Sequence, residues 1–368
     1  MVLLLTSLFT SLVVCGLLIR YRDWHLQFTG DHDLDGPQKF HEGVAPRIGG
    51  VGIAAGLITA IIVGSVTNPP LAKSLALMLL VALPVFTFGI AEDLTKRIGV
   101  KVRLVAAFIS GALFLFLFDI TAIRLDIPIV DSLMAYPAVA VFFLAFAIAG
   151  LSNAYNIIDG FNGLASMVGI IAATAILYVA FKVQDPLVIG LAFITIGSIT
   201  GFFLWNYPRG LIFLGDGGAY LIGLLIAIAS ILLVVRHPSV SPWFALMVNA
   251  YPIFETLFTI WRRAVHQGRN PGLPDGAHFH SLIYRRVMRW VYHDGKPHQY
   301  LRNAKTSPYL WILSSLGVIP AMLWWNSTSL LMISAAVFVV FYVFAYRTIV
   351  TFKTPAVISN RPPPEVNE

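Results

Sequence analysis

Charge is scarce in this chain: Asp, Glu, Lys and Arg together make up 12% of 368 residues, against 58% hydrophobic residues. With a mean hydropathy of +0.80, there is too little polar residue to coat a water-soluble globule of this size. Cysteine is nearly absent. The single Cys15 lies in an apolar run, which excludes an internal disulfide or a cysteine metal site and leaves a thiol that behaves as a small hydrophobe. No basic residue precedes the first apolar run, while Arg20 and Arg22 follow it. That order is wrong for a cleaved signal peptide and points to a retained helix with its N-terminus outside. Internal repeats are missing, as are a G-x-x-x-x-G-K-[ST] loop, an H-E-x-x-H helix and a serine nucleophile elbow.

What is present is apolar sequence in lengths that cross a bilayer, roughly 17–25 residues. Such runs lie near 2–20, 48–66, 71–91, 102–118, 133–151, 164–181, 186–206, 217–235, 241–261, 307–325 and 328–346. The fold expected is an all-α integral membrane protein, a polytopic bundle of about eleven transmembrane helices spanning 1–350. It carries active-site loops at 21–47, 92–103, 152–163, 207–216 and 263–306, and a tail at 351–368. If the helices alternate in direction, only Lys73, Arg124, Lys182 and Arg236 of the 25 basic residues fall outside. The positive-inside rule thus accounts for the net charge of +7, which carries no nucleic-acid signal.

The polar residues gather on the inner side. Five segments, "QKFHEGVAPRIGGVG", "AEDLTKRIGVKVR", "NAYNIIDGFNG", "NYPRGLIFLGDGGA" and "GRNPGLPDGAHFHSLIYRR", fall on that face. Taken singly, each has a plain structural explanation. Glu92 and Asp93 with Lys96 could be a solvated loop with local ion pairs, and Gly49, Gly50 and Gly52 fit close helix packing. Asn153, Asn156 and Asp159 are harder to explain so, because polar groups at a helix end in a bilayer need partners; Gly160 is expected to end the helix and turn them toward one point. Asp216, between glycines before an apolar helix, is either an N-cap or a carboxylate at a phosphate-binding helix start of the kind that acts through Mg²⁺. His278 and His280 make a poor zinc set and fit better as diphosphate contacts. Glu255, inside a membrane run, is a candidate by position, with a structural role behind a kink at Pro252 as the other reading. The inventory points to metal-assisted phosphoryl chemistry at a membrane face.

These residues resemble the polyprenyl-phosphate N-acetylhexosamine-1-phosphate transferases, the glycosyl transferase family 4, from about Lys39 to Arg286. Five ordered signatures carry the resemblance: H-x-G-x-x-P-x-x-G-G (41–50), the acidic pair with x-x-K (92–96), N-x-x-N-x-x-D-G-x-x-G-L (153–164), F-x-G-D-x-G (213–218) and P-D-x-x-H-x-H (274–280). The resemblance implies transfer of an N-acetylhexosamine-1-phosphate from a UDP-amino sugar to undecaprenyl phosphate, with UMP released. It implies Mg²⁺, with Mn²⁺ as a substitute, on Asp216 and Asn156. Phe213 would stack on uracil, with Asn206 at the nucleotide. Asn153 and Asp159 would hold the nucleoside or diphosphate, and His278 and His280 the diphosphate or sugar. Asp93, beside Glu92, would take the proton from the lipid phosphate or orient it; Lys39, His41, Arg47 and Lys96 would supply positive charge. Membrane lipids are the other partners, a homodimer is allowed, and the expected location is the bacterial inner membrane with the site facing the cytoplasm. Glu92 and Asn162 stand where aspartate is usual, and Ala219 where serine is frequent. His-Phe-His in the last loop, where the phospho-MurNAc-pentapeptide branch has three consecutive histidines, favours a branch that initiates O-antigen or capsule-type glycans from UDP-GlcNAc or a related donor. A transporter would instead place its polar residues near the midplane with repeat symmetry, and a scaffold would keep its function when Asp216 is replaced.

Overall fold

The computed structural model describes residues 1–30, 44–266, 268, 275–288 and 299–351. Among these the chain is helical throughout its ordered elements. Helices α1 (Val2–Arg20), α2 (Arg22–Thr29), α3 (Gly49–Thr67), α4 (Pro69–Thr95) and α5 (Val100–Leu117) lead to a short α6 (Pro128–Met134). Then follow α7 (Pro137–Ile158), α8 (Leu164–Lys182), α9 (Pro186–Asn206), α10 (Gly215–Arg236), α11 (Pro242–Val248) and α12 (Ala250–Trp261). After α13 (Phe279–Leu282) come α14 (Gln299–Leu323) and α15 (Thr328–Thr351). Helices α4, α6, α7, α9 and α11 open with proline in the first turn, where its missing N–H costs nothing and its fixed φ starts the helix.

Ten helices among the described residues are long and apolar enough to cross a membrane, and α11 with α12 forms an eleventh candidate bent by 77°. The expected eleven runs are therefore present. The break in the ninth differs from expectation: it falls at Asn249, between α11 and α12, and not at Pro252. That proline sits in the first turn of α12, where it removes no helical bond. Asn249 is fully buried and spends its side chain on the break, accepting from Tyr155 Oη at 3.3 Å and donating to Ala245 O at 3.0 Å. The loops are also shorter than the sequence suggests, since 152–158 are the last turns of α7 and Glu92 and Asp93 the last turn of α4.

Helix α10 is the axis of the bundle. Every residue from Gly215 to Val234 is buried, and it packs against α3, α4, α7, α8 and α9, as a helix apolar on all sides must. A second close seam joins α1 to α3 and α9. A Cβ added at Gly201 would stand 2.5 Å from Leu8 O, and one at Gly52 would stand 2.2 Å from Cys15 Sγ. Small residues that let helix backbones touch are the means of association where lipid removes the hydrophobic drive. Trp205 Nε1 closes the seam by donating to Leu12 O at 2.8 Å.

Candidate active site

The end of the bundle where α10 begins also receives the N-termini of α3, α5 and α8 and the C-termini of α4, α7 and α9. Backbone bonds knit the segments that carry the sequence signatures: Phe213 N donates to Pro46 O at 2.8 Å, Gly49 N to Phe213 O at 2.9 Å, and Gly50 N to Leu214 O at 3.0 Å. Glycine is required at the start of α10. Gly215 holds φ +72°, and a Cβ there would lie 2.2 Å from Arg47 O; a Cβ at Gly50 would lie 2.4 Å from Gly218 N.

Asp216 is not the N-cap, which is Leu214; it is the second residue of α10, and its carboxylate points into a ring of donors. Asn156 Nδ2 donates to its Oδ1 at 2.8 Å. Arg103 pairs with Oδ2, and Arg47 Nη2 stands 3.7 Å from Oδ1. The cap is supplied from α4. Asp93, with no exposed surface, accepts from Asp216 N at 2.8 Å on one oxygen and from Gly217 N at 2.9 Å on the other. A carboxylate at a helix N-terminus answers both the free amides and the dipole, so Asp93 fixes where Asp216 sits. Arg47 Nη2 is also 3.7 Å from Asp93 Oδ1, which places this guanidinium between the two acids.

The other sites read from the sequence fall around this core. Asn153 accepts from Tyr220 Oη at 2.7 Å, and the same tyrosine ring lies under Arg103, 5.8 Å from centroid to guanidinium carbon. Asp159 is the C-cap of α7, as Gly160 suggested, and keeps part of its surface. Burial pushes its pKa up to about 7 against the pull of Arg47. Phe213 is partly exposed, its backbone tied to Pro46 and Gly49. Glu92 is turned to the α4–α5 connection, where it accepts from Ile98 N at 2.6 Å, and Lys96 is the exposed, left-handed C-cap of α4. Lys39 and His41 lie outside the described residues.

Two asparagines act as braces. Asn206 is buried, accepting from Gly163 N at 2.6 Å and donating to Ile212 O at 2.8 Å. Both ends of its amide are thus used within the protein. Asn162 donates from Nδ2 to Pro208 O at 3.1 Å, a bond that an ionised aspartate cannot make. Its backbone is held by Asn303 and Ser307 of α14, and Trp311 Nε1 donates to Gly163 O.

The histidine segment closes the other side. His280 Nε2 lies against Gly160, where a Cβ would meet it at 2.9 Å. Its ring stands edge-on to Phe161 at 5.5 Å and stacks on His278 at 5.2 Å. Burial, with His278 alongside, pushes the pKa of His280 down to about 3, so His280 is a neutral imidazole at physiological pH. Its Nδ1 is buried without a partner. Asp275 pairs with Arg262 and accepts from Ala277 N at 3.0 Å.

Sequence reasoning missed Arg103, Tyr220 and the α14 braces. Arg103 passed as one more inside charge. The signal was its place: three residues into α5, followed by unbroken apolar sequence, where an arginine must be paired.

Among the described residues no group of three or more His, Cys, Asp or Glu side chains forms a metal cage. Asp216 and Asn156 are a smaller pair, a carboxylate and an amide whose Nδ2 is turned to that carboxylate; one carboxylate with the amide's remaining oxygen matches the one or two protein ligands that Mg²⁺ uses beside phosphate and water.

Residues 75–234 match the family described as glycosyl transferase family 4. The chain is 26% identical over 266 residues to a probable undecaprenyl-phosphate N-acetylglucosaminyl 1-phosphate transferase of Bacillus subtilis, covering 69% of this chain and 70% of that one. It is 28% identical over 262 residues to the undecaprenyl-phosphate alpha-N-acetylglucosaminyl 1-phosphate transferase of Thermotoga maritima, 70% of this chain and 75% of the relative. It is also 28% identical over 237 residues to a phospho-N-acetylmuramoyl-pentapeptide-transferase of Lactobacillus gasseri, 61% of this chain and 72% of that one.

Proposed function

We propose, from the premise that the chain belongs to glycosyl transferase family 4, that it transfers an N-acetylhexosamine-1-phosphate from a UDP-sugar such as UDP-GlcNAc to undecaprenyl phosphate. An oxygen of the lipid phosphate forms a bond to the sugar-bearing β-phosphorus. The bond from that phosphorus to the oxygen bridging it to the α-phosphate breaks, and UMP leaves carrying the bridging oxygen. The observation that carries this reading is Asp216 at the start of the buried axial helix, ringed by Asn156, Arg47 and Arg103. Two polyanions meet in this reaction, and fixed cations at the meeting point lower their repulsion.

The division of labour follows the geometry. Asp216 and Asn156 would hold Mg²⁺, with Mn²⁺ as a substitute. When bound, the ion neutralises charge on the diphosphate. Asp93 holds the backbone under Asp216. Arg47 and Arg103 face the phosphates, and Phe213 offers its partly exposed ring to the uracil. Asp159, with its pKa near neutrality, is the acid suited to exchange a proton with the lipid phosphate, the role that the resemblance gives to Asp93; to Lys39 and His41 the resemblance gives a share of the positive charge. The inner membrane, with the site toward the cytoplasm where UDP-sugars are found, is the location that the basic residues at this end support.

The test is UMP release by purified protein in detergent with undecaprenyl phosphate, Mg²⁺ and a panel of UDP-amino sugars that includes UDP-MurNAc-pentapeptide, each repeated with EDTA. Release that requires lipid and metal with UDP-GlcNAc or a related sugar supports the reading. Release with the pentapeptide donor alone moves the chain to the peptidoglycan branch. No release from folded protein overturns the transferase assignment.

A further inference from the structure

Behind the histidine segment lies a buried acid that the transfer chemistry above does not use. Glu255 on α12 is 1% exposed, and three elements meet at its carboxylate. Oε1 accepts from His278 Nδ1 at 3.0 Å and from Phe279 N at 3.2 Å, while Oε2 accepts from the Tyr342 hydroxyl of α15 at 2.7 Å. Thr259, one turn along α12, sets its hydroxyl 3.2 Å from the same Nδ1. A carboxylate removed from water persists only with such a set of donors. As an acceptor-only group it demands the proton on Nδ1, which leaves Nε2, on the opposite edge of the ring, for other work. The ring itself stacks on His280, whose Nε2 abuts Gly160, the residue after Asp159, so the pair stands beside the end of α7.

We propose that Glu255 is the positioning residue for His278, fixing its ring with Nδ1–H on the buried carboxylate so that Nε2 meets the phosphoryl oxygens of the substrate diphosphate. The identity of that ligand rests on the transferase reading. The carboxylate also provides the counter-charge for a doubly protonated ring, in which Nε2–H donates to an anionic oxygen. His280 does not share this task. It has no such carboxylate, and burial keeps it neutral. The Glu255 carboxylate is thus set aside for an imidazole and not for the metal.

The test uses full-length protein in detergent. Nitrogen-15 spectra of labelled histidine, recorded without substrate and assigned with His278→Gln, read the protonation of each ring nitrogen. UMP-release kinetics are measured on the same preparations. The expected wild-type signal shows His278 protonated at Nδ1. Glu255→Gln, whose amide can accept or donate, is expected to shift that signal toward mixed tautomers and to lower kcat on the order of 10²-fold with KM changed less than threefold. Glu255→Asp is expected to restore part of kcat. Tyr342→Phe, which removes one donor and leaves the His278 contact, is expected to keep the signal and cost less than threefold. A wild-type His278 protonated at Nε2 alone overturns the proposal whether or not the variants fold, and so does Glu255→Gln with an unchanged signal and kcat. Wild-type protein that shows the Nδ1–H state yet turns over no UDP-sugar overturns the transferase reading and the diphosphate ligand, while the fixed ring stands.

Discussion

The two ends of the bundle hold buried carboxylates in opposite ways. At the end away from α10's start, Asp185 caps α9 through Leu187 N and Val188 N, and it pairs with Arg236 Nε at 2.6 Å and His237 Nε2 at 2.8 Å. Burial pushes its pKa up, but the bonds from Arg236 and His237 outweigh that and leave it below the ordinary value. Arg124 bonds to Asp126 and to the carbonyls of Pro238 and Val240, and Thr328 bonds to Asp126. Each partner there is protein. At the other end two arginines crowd Asp216, Arg103 Nε and His280 Nδ1 are buried without partners, and the Asp159 carboxyl sits near its protonation point. A saturated end serves stability, and an end with surplus donors serves a ligand.

The sharpest way to break this contrast is Asp216→Asn. It should lower UMP release on the order of 10³-fold while the thermal midpoint in detergent stays near wild type; a loss of folding instead would make this end structural as well. Next in size is Gly50→Ala, whose Cβ would press on Gly218 N. Overpacking of about 1–3 kcal/mol should lower the midpoint and displace α10's start, costing more than tenfold in rate. Asp185→Asn should do the reverse of Asp216→Asn. The midpoint falls by the equivalent of about 1–3 kcal/mol, tempered by the partial exposure of Arg236, and kcat per folded molecule holds.

The smallest effect is a pH slope. Asp159, raised from 3.8 to about 7, binds a proton in the folded state that the unfolded chain has released, so it makes stability fall as pH rises across that window. His280, lowered from 6.5 to about 3, does the opposite, because the unfolded chain binds the extra proton. Between about pH 4 and 6.5 the two oppose each other in wild type. Asp159→Asn should therefore expose a stability that rises with pH, by at most about 1.4 kcal/mol per unit, and His280→Gln one that falls. Parallel pH–stability curves for the three proteins would remove both assignments.

Much of this was legible in the residues themselves. Apolar runs of bilayer length mark the spans, because length and hydropathy suffice in lipid, and Gly160 marked the end of α7. The broken span was misplaced because proline is the visible kink signal, whereas the break falls at Asn249, whose side chain bonds to Ala245 O one turn back and to Tyr155, distant in sequence. Asp93 read as the acid that meets the lipid phosphate, since nothing local shows that the amides of Asp216 and Gly217 arrive over it. Glu92 is the converse case: its bond to Ile98 N is six residues away, and the longer side chain is what reaches it. Arg97 and Arg103 differ in sequence only in that Arg103 leads directly into apolar residues, and packing buries Arg103 while Arg97 stays exposed.

The glycine seam between α1 and α9 bears on how the molecule is made. Helix α1 leaves the ribosome well before α9, and the face formed by Ser7, Leu8 and Leu12 meets its partner only when Gly197, Gly201 and Trp205 emerge. At about 5–20 residues per second that delay is roughly 10–40 s, during which α3 can hold it through Gly52 and Gly56. Biogenesis of this protein is therefore a waiting problem, with α1 kept open for a helix synthesised well after it.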